Sequence, residues 1–192
     1  MPEMPIWMTF GLLTMVLIAT SNTVNLTDGA DGLAIGCSIS TLLALGVIAV
    51  LVGSPFFSAE LNVIHIQYAG EMAILCVALV GSGFGFLWFN GHPAKIFMGD
   101  TGSLSIGGLI GIVAFMLNQP IILFLIGGIF VIEGLSVILQ VASFQLTGKR
   151  IFHISPIHHH FEVAGWPESQ VVTRFWIMSS LFALAGVWLF VI

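Results

Sequence analysis

Residues 32–52 read GLAIGCSISTLLALGVIAVLV. The run contains no charged side chain, and its length is about the 20 residues that an α-helix needs to cross a hydrocarbon core. Working outward, five more apolar runs of similar kind follow: about Ile6 to Thr23, Gly70 to Phe89, Ser103 to Leu117, Ile121 to Phe144 and Val171 to Ile192. Composition agrees. Of 192 residues, 58% are hydrophobic and 7% are charged, against roughly 25% charged in a soluble domain. So little charge cannot cover a water-facing globule, whereas a lipid-facing exterior needs none. The fold expected is all-α, a polytopic membrane bundle of about six transmembrane helices, with 1–192 forming a single transmembrane domain.

The connections between these runs alternate in character. Asn22 to Asp31, Asn90 to Gly102 and Gln145 to Gln170 are rich in polar and ionisable residues, whereas Gly53 to Ala69 and Asn118 to Pro120 are not. Six spans would put all three rich loops on one face. Lys95, Lys149 and Arg150 lie in those loops, and Arg174 starts the last span. The excess of basic residues on the inner side of membrane proteins makes that face cytoplasmic. Four basic residues are too few for a phosphate-tracking surface, which excludes nucleic acid as a partner. Cys37 and Cys76 lie inside apolar runs and read as small buried hydrophobes. No basic segment precedes the first run, so no cleavable signal peptide is expected.

Several local features carry packing expectations. Trp7, Trp88, Trp176 and Trp188 near span ends suit an interfacial belt. Gly81-x-x-x-Gly85 and Gly107-x-x-x-Gly111 suit close helix contact. The GSGFGF string at 81–86 follows no strand, so it is not a nucleotide loop. Asn62 to Tyr68 has partial alternation and could form a short hairpin on the outer surface.

The polar loops hold the chemistry. In NTVNLTDGADG, residues 22–32, Asn22, Asn25, Asp28 and Asp31 recur every third position, which keeps neighbours on one helical face. One carboxylate would suffice to cap a helix; two carboxylates with two amides at membrane depth point to a site. In FMGDTGS, residues 97–103, Asp100 stands at the start of a span. There, free N–H groups and the positive dipole end suit a diphosphate, and a carboxylate can hold Mg²⁺. In SPIHHHFE, residues 155–162, three successive histidines point in different directions on any regular backbone. Zinc is the weaker reading, because helical zinc sites prefer HExxH-type spacing. Imidazole N–H groups facing a polyanion fit better. His92 and His153 read as interfacial. Glu133, mid-membrane, is a site candidate or the partner of a kink near Gly134.

Together, Asn25-Leu-Thr-Asp28-Gly-x-Asp31-Gly, Phe97-Met-Gly-Asp100-x-Gly-Ser103 and Pro156-Ile-His-His-His-Phe-Glu162 with Gly165-Trp-Pro167 resemble the polyprenyl-phosphate N-acetylhexosamine-1-phosphate transferases. The histidine string and its Gly-Trp-Pro tail resemble the phospho-N-acetylmuramoyl-pentapeptide branch. The resemblance implies transfer of a phospho-sugar from UDP-N-acetylmuramoyl-pentapeptide to undecaprenyl phosphate. UMP is released and lipid I, a precursor of peptidoglycan, is formed. It implies Mg²⁺ as cofactor and a multi-pass place in a bacterial inner membrane. By position, Asp100 would hold the metal, and Asn25, Asp28 and Asp31 would line the nucleotide and diphosphate site. Asn90, Phe97 and Gly99 would form the uridine pocket. His158, His159 and His160 would contact the donor, with Asp28, Asp31, Asp100 and His159 the catalytic set. A broken fifth span beside Glu133-Gly134 would frame a groove for the lipid.

The family fold this implies is about twice as long, with roughly ten bilayer-sized spans, so the chain corresponds to its C-terminal part. The family's adjacent aspartate pair has no counterpart here. The chain alone is therefore expected to be inactive, with a missing N-terminal half or a partner chain supplying the rest. A homodimer is possible. The rival readings are an N-acetylglucosamine-1-phosphate transferase, a non-catalytic truncated subunit, and a transporter using Asp28, Asp31 and Glu133. Placement of the carboxylates in loops weighs against the transporter.

Overall fold

The computed structural model describes residues 4–192. Among them the chain folds into nine helices and no strand: α1 (Ile6–Thr27), α2 (Leu33–Gly53), α3 (Pro55–Glu60), α4 (Ala69–Asn90), α5 (Gly99–Met116), α6 (Pro120–Ile126), α7 (Gly128–Thr147), α8 (Ile157–Val163) and α9 (Glu168–Val191). Six of them, α1, α2, α4, α5, α7 and α9, are long and apolar enough to span a membrane.

The charge-free run of residues 32–52 becomes the centre of the bundle. Leu33, Leu42, Leu45 and Ile48 of α2 are fully enclosed, and α2 packs against α4 and α9. On the α4 side the fit comes from Gly83, set against Ile35 and Ile39. A second layer is formed by α1, α5 and α7. Lipid is as apolar as leucine, so helices associate there through close packing and interhelical hydrogen bonds. Gly107 meets that need: a Cβ built on it would lie 2.5 Å from the Thr20 carbonyl oxygen of α1. Ser21 Oγ donates to the Leu104 carbonyl oxygen at 2.8 Å across the same contact. Gly81 and Gly85, by contrast, have nothing within 4 Å of a built Cβ, so that pair makes no helix contact within the described chain.

The helices run alternately up and down. The C-terminal ends of α1, α4 and α7 therefore lie beside the N-terminal ends of α2, α5 and α9, and the three polar connections meet at one end of the bundle. At the opposite end, residues 62–68 form no hairpin. Asn62 and Tyr68 have φ of 52° and 65°, conformations a strand cannot hold. The segment is tied down instead by Ile66 N–H donating to the Val52 carbonyl oxygen at 2.9 Å.

Helix ends also shift from the sequence reading. α1 continues to Thr27 and α5 begins at Gly99, which puts Asn25 and Asp100 on helices. The fifth span breaks at Gly127, between α6 and α7, six residues before Glu133. Trp7, Trp88 and Trp188 are exposed, as a belt requires. Trp176 is not part of it: its indole Nε1–H donates to the Gly32 carbonyl oxygen at 3.1 Å and its ring lies over Gly36.

Candidate active site

The site begins at the last turn of α1. Asn25 faces α5, and its amide nitrogen donates to Asp100 Oδ1 at 3.0 Å and to Ser103 Oγ at 2.9 Å. Asn22, one turn earlier, turns back to the Ile18 carbonyl oxygen of its own helix, so the run of residues three apart does not act as one face. Neither Asp28, Asp31 nor Asp100 caps a helix with its side chain. The N-caps of α2 and α5 are Gly32 and Met98, without side-chain bonds. The carboxylates are thereby left for other work.

Asn25, Asp28, Asp31, Asn90, Phe97 and Asp100, with the backbone at Gly29 and Gly99, line a cleft of about 280 Å³. No lysine or arginine lines it. Burial, and then the charge of Asp100, push the Asp28 carboxyl up from 3.8 to about 6. Two facing carboxylates without a counter-cation suit a hard divalent ion, which takes oxygen donors and completes its shell with water or phosphate oxygens. The first turn of α5 adds backbone N–H groups at the cleft wall, where an anion is stabilised. Mg²⁺ therefore fits the donor set of Asp28 and Asp100.

Asn90 builds the floor. Its carbonyl oxygen accepts from Gly32 N–H at 3.1 Å, and its amide donates to the Ile96 carbonyl oxygen at 2.8 Å. It thus pins the α4–α5 connection to the start of α2. Phe97 stands largely free, with 76% of its surface exposed, an open ring face at the cleft edge suited to a planar base.

Asp31 is held from three directions. Its Oδ2 accepts from Ala94 N–H at 2.9 Å and lies 3.2 Å from His92 Nδ1. Its own N–H donates to Glu168 Oε1 at 2.8 Å, and Glu168 Oε2 lies 3.5 Å from His92. His92 is thus a member of the site's frame, not a lone interfacial residue. Glu168, at the first turn of α9, escaped the sequence reading because an acid there reads as an ordinary partner of the helix dipole.

The histidines lie on the short helix α8, where successive side chains turn by about 100°. They fan out accordingly. His158 is fully buried, with Nδ1 3.0 Å from Glu133 Oε1, and Glu133, equally buried, also accepts from Ile157 N–H at 3.0 Å. His159 pairs with Glu162 at 2.8 Å. His160 Nδ1 accepts from His153 N–H at 3.1 Å, which fixes both of those residues within the loop. The His158 and His159 ring centroids lie 4.0 Å apart with the planes tilted by 50°, and their Nε2 atoms flank Gly29. A Cβ there would lie 2.5 Å from one and 3.1 Å from the other. His158 Nε2 has no hydrogen-bond partner, a condition that costs about 1–3 kcal/mol for a buried polar atom. Glu133 thus pairs with a histidine; it does not satisfy a kink at Gly134. The hydrogen bonds of the three histidines thus run to three different partners. Among the described residues, three potential ligand atoms gather only at Asp31, His92 and Glu168, within 4.8 Å of one another, where hydrogen bonds already account for their approach.

All three polar loops thus meet: α1 with α5 through Asn25 and Asp100, the α1–α2 turn with α9 through Asp31 and Glu168, and the same turn with α8 at Gly29. The family model described as Glycosyl transferase family 4 matches residues 1–118. The matched stretch holds the whole lining of the cleft and ends before the histidine segment.

Proposed function

The chain belongs to glycosyl transferase family 4, the family of the polyprenyl-phosphate N-acetylhexosamine-1-phosphate transferases, and from that premise we propose that its cleft binds the UDP-linked sugar donor UDP-N-acetylmuramoyl-pentapeptide. The acceptor is undecaprenyl phosphate, and the products are lipid I and UMP. The observation that carries the proposal is the meeting of Asn25, Asp28 and Asp100 in a cleft with no basic side chain, at the bundle end where Phe97 offers a free ring. In this reading that end faces the cytoplasm of a bacterial inner membrane, where a soluble nucleotide can meet a lipid-anchored acceptor.

In the reaction, an oxygen of the lipid phosphate forms a bond to the sugar-bearing phosphorus, the bridging P–O bond breaks, and UMP departs with the electron pair. Both reactants are anions, so the chemistry is mostly positioning and charge neutralisation. Asp28 and Asp100 would hold Mg²⁺, which supplies that neutralisation when bound. Asn25 keeps the Asp100 carboxylate turned to the cleft. The first-turn N–H groups of α5 face the phosphates, and Phe97 stacks on the base. Asp31, braced by His92 and Ala94, presents its remaining oxygen to the nucleotide. His159, steadied by Glu162, and His160 extend the wall towards the donor's sugar and peptide, with His158 behind them.

Transfer of N-acetylglucosamine-1-phosphate is the second reading, because the match over residues 1–118 is to the family and not to one branch. The test supplies the chain, together with an N-terminal half of the family fold, with labelled donor, undecaprenyl phosphate and Mg²⁺ in vesicles. Labelled lipid product and UMP are expected from the muramoyl donor, and Asp100→Asn lowers turnover by about 100-fold or more. Product from UDP-N-acetylglucosamine alone moves the assignment to the second reading; no product from either donor overturns both.

A further inference from the structure

Glu133, the buried partner of His158, has no place in that account, although the pair lies directly behind the cleft wall. Both side chains have no exposed surface. Glu133 is on α7, inside the membrane-spanning part, and His158 is on α8, among the polar loops. The carboxylate of Glu133 is occupied on both oxygens, by Ile157 N–H on Oε2 and by His158 Nδ1 on Oε1. In the His158 tautomer that carries hydrogen on Nδ1, that nitrogen donates to Oε1. The opposite nitrogen, Nε2, has no hydrogen-bond partner, and it abuts Gly29 between the two aspartates of the α1–α2 turn.

The geometry points to Glu133 as a positioning residue that fixes His158 in the Nδ1–H tautomer and so seats the bare Nε2 edge of the imidazole against Gly29. This rests on the nucleotide-binding reading of the cleft. The seating works sterically. An Nε2 without hydrogen lets the α8 segment close on the glycine, with His159 Nε2 on the other flank. A hydrogen on Nε2 would point into Gly29 with nothing to accept it and would push the turn, and with it Asp28 and Asp31, out of register. The absent Cβ at residue 29 is thus required by the imidazoles and not by the backbone, whose φ there is not positive. A residue buried in the lipid-embedded helix thereby sets the geometry of loops that face a soluble ligand.

The full chain is labelled with ¹⁵N-histidine in nanodiscs, and side-chain nitrogen spectra are recorded, with His158 assigned by loss of its signals in His158→Asn. The expected wild-type signal is the neutral Nδ1–H tautomer. In Glu133→Gln, the amide oxygen keeps the Ile157 bond and the NH₂ faces Nδ1, so the tautomer inverts to Nε2–H. UDP affinity measured with Mg²⁺ then falls about tenfold. A wild-type His158 that carries hydrogen on Nε2 overturns the proposal. An unchanged tautomer in Glu133→Gln overturns it too, as does an inverted tautomer with unchanged UDP affinity. Should Glu133→Gln fail to fold, Glu133→Asp keeps the charge: it retains Nδ1–H but binds UDP more weakly, and full-strength binding there counts against the idea. A wild-type chain that does not bind UDP at all sinks the nucleotide reading instead, while the tautomer spectra still decide what Glu133 does to His158.

Discussion

Asp28 and Asp100 approach each other across the cleft while Asn25 braces one of them, and this small group sets the pH behaviour of the site. The Asp28 carboxyl is raised from 3.8 to about 6, first by burial and then by Asp100. A raised carboxyl favours the folded chain below its unfolded value and loses that contribution as pH climbs through the folded value. In metal-free buffer the unfolding midpoint of the chain therefore falls as pH rises from 4 towards 6.5, and Asp100→Asn lessens the fall in part, because burial remains; differential scanning fluorimetry in detergent reads both. Mg²⁺ binding follows the opposite course, because it needs the ionised form. Affinity tightens as pH passes about 6, with release of a proton that isothermal titration in buffers of different ionisation heat detects. An affinity independent of pH between 5 and 7.5 would remove Asp28 from the metal site. The identity of these residues was readable in the sequence because few ionisable groups exist to compete. The partners of Asp31 and His158 were not: Glu168 and Glu133 stand 137 and 25 positions from the groups they hold, and no local spacing announces such pairs.

Among the elements, α5 shows how a helix can serve packing and chemistry with different ends. Its first turn carries Asp100 to the cleft, and one face farther along presents Gly107 and Gly111 to α1. The small-residue motif was legible there, and the same motif in α4 was misleading, because glycine spacing permits close contact without specifying which helix comes near. Gly107→Leu would drive a side chain into the backbone at Thr20 and Ser21. Overpacking of this kind costs about 1–3 kcal/mol. It would also part Asn25 from Asp100, so both the unfolding midpoint and Mg²⁺ affinity should drop. Gly81→Leu, which meets nothing within 4 Å, should leave both unchanged in the chain as described. The short helix α8 makes a related point. A run of three histidines promised three directions, and helical geometry sent one inward to Glu133, one to Glu162 and one to the His153 backbone.

At the level of the whole bundle, α1 holds Asn25 and borders the cleft, yet only 6% of its apolar window is buried, against 72% for α2. Its outer face leaves Trp7, Phe10, Met15 and Ile18 exposed. We expect the chain alone to bind UDP in the presence of Mg²⁺ and to form no lipid-linked product, with turnover restored by co-expression of an N-terminal half. Measurable turnover by the purified chain alone would show that the cleft needs no more protein. By itself the sequence determined the membrane class, the number of spans, and the set of loops that share a face, since hydropathy and residue chemistry are local properties. Only the tertiary structure decided that α2 forms the centre, that Trp176 holds Gly32, that His92 and Glu168 brace Asp31, and that Glu133 reaches His158. Those are contacts between segments far apart in the chain, fixed by how the helices pack.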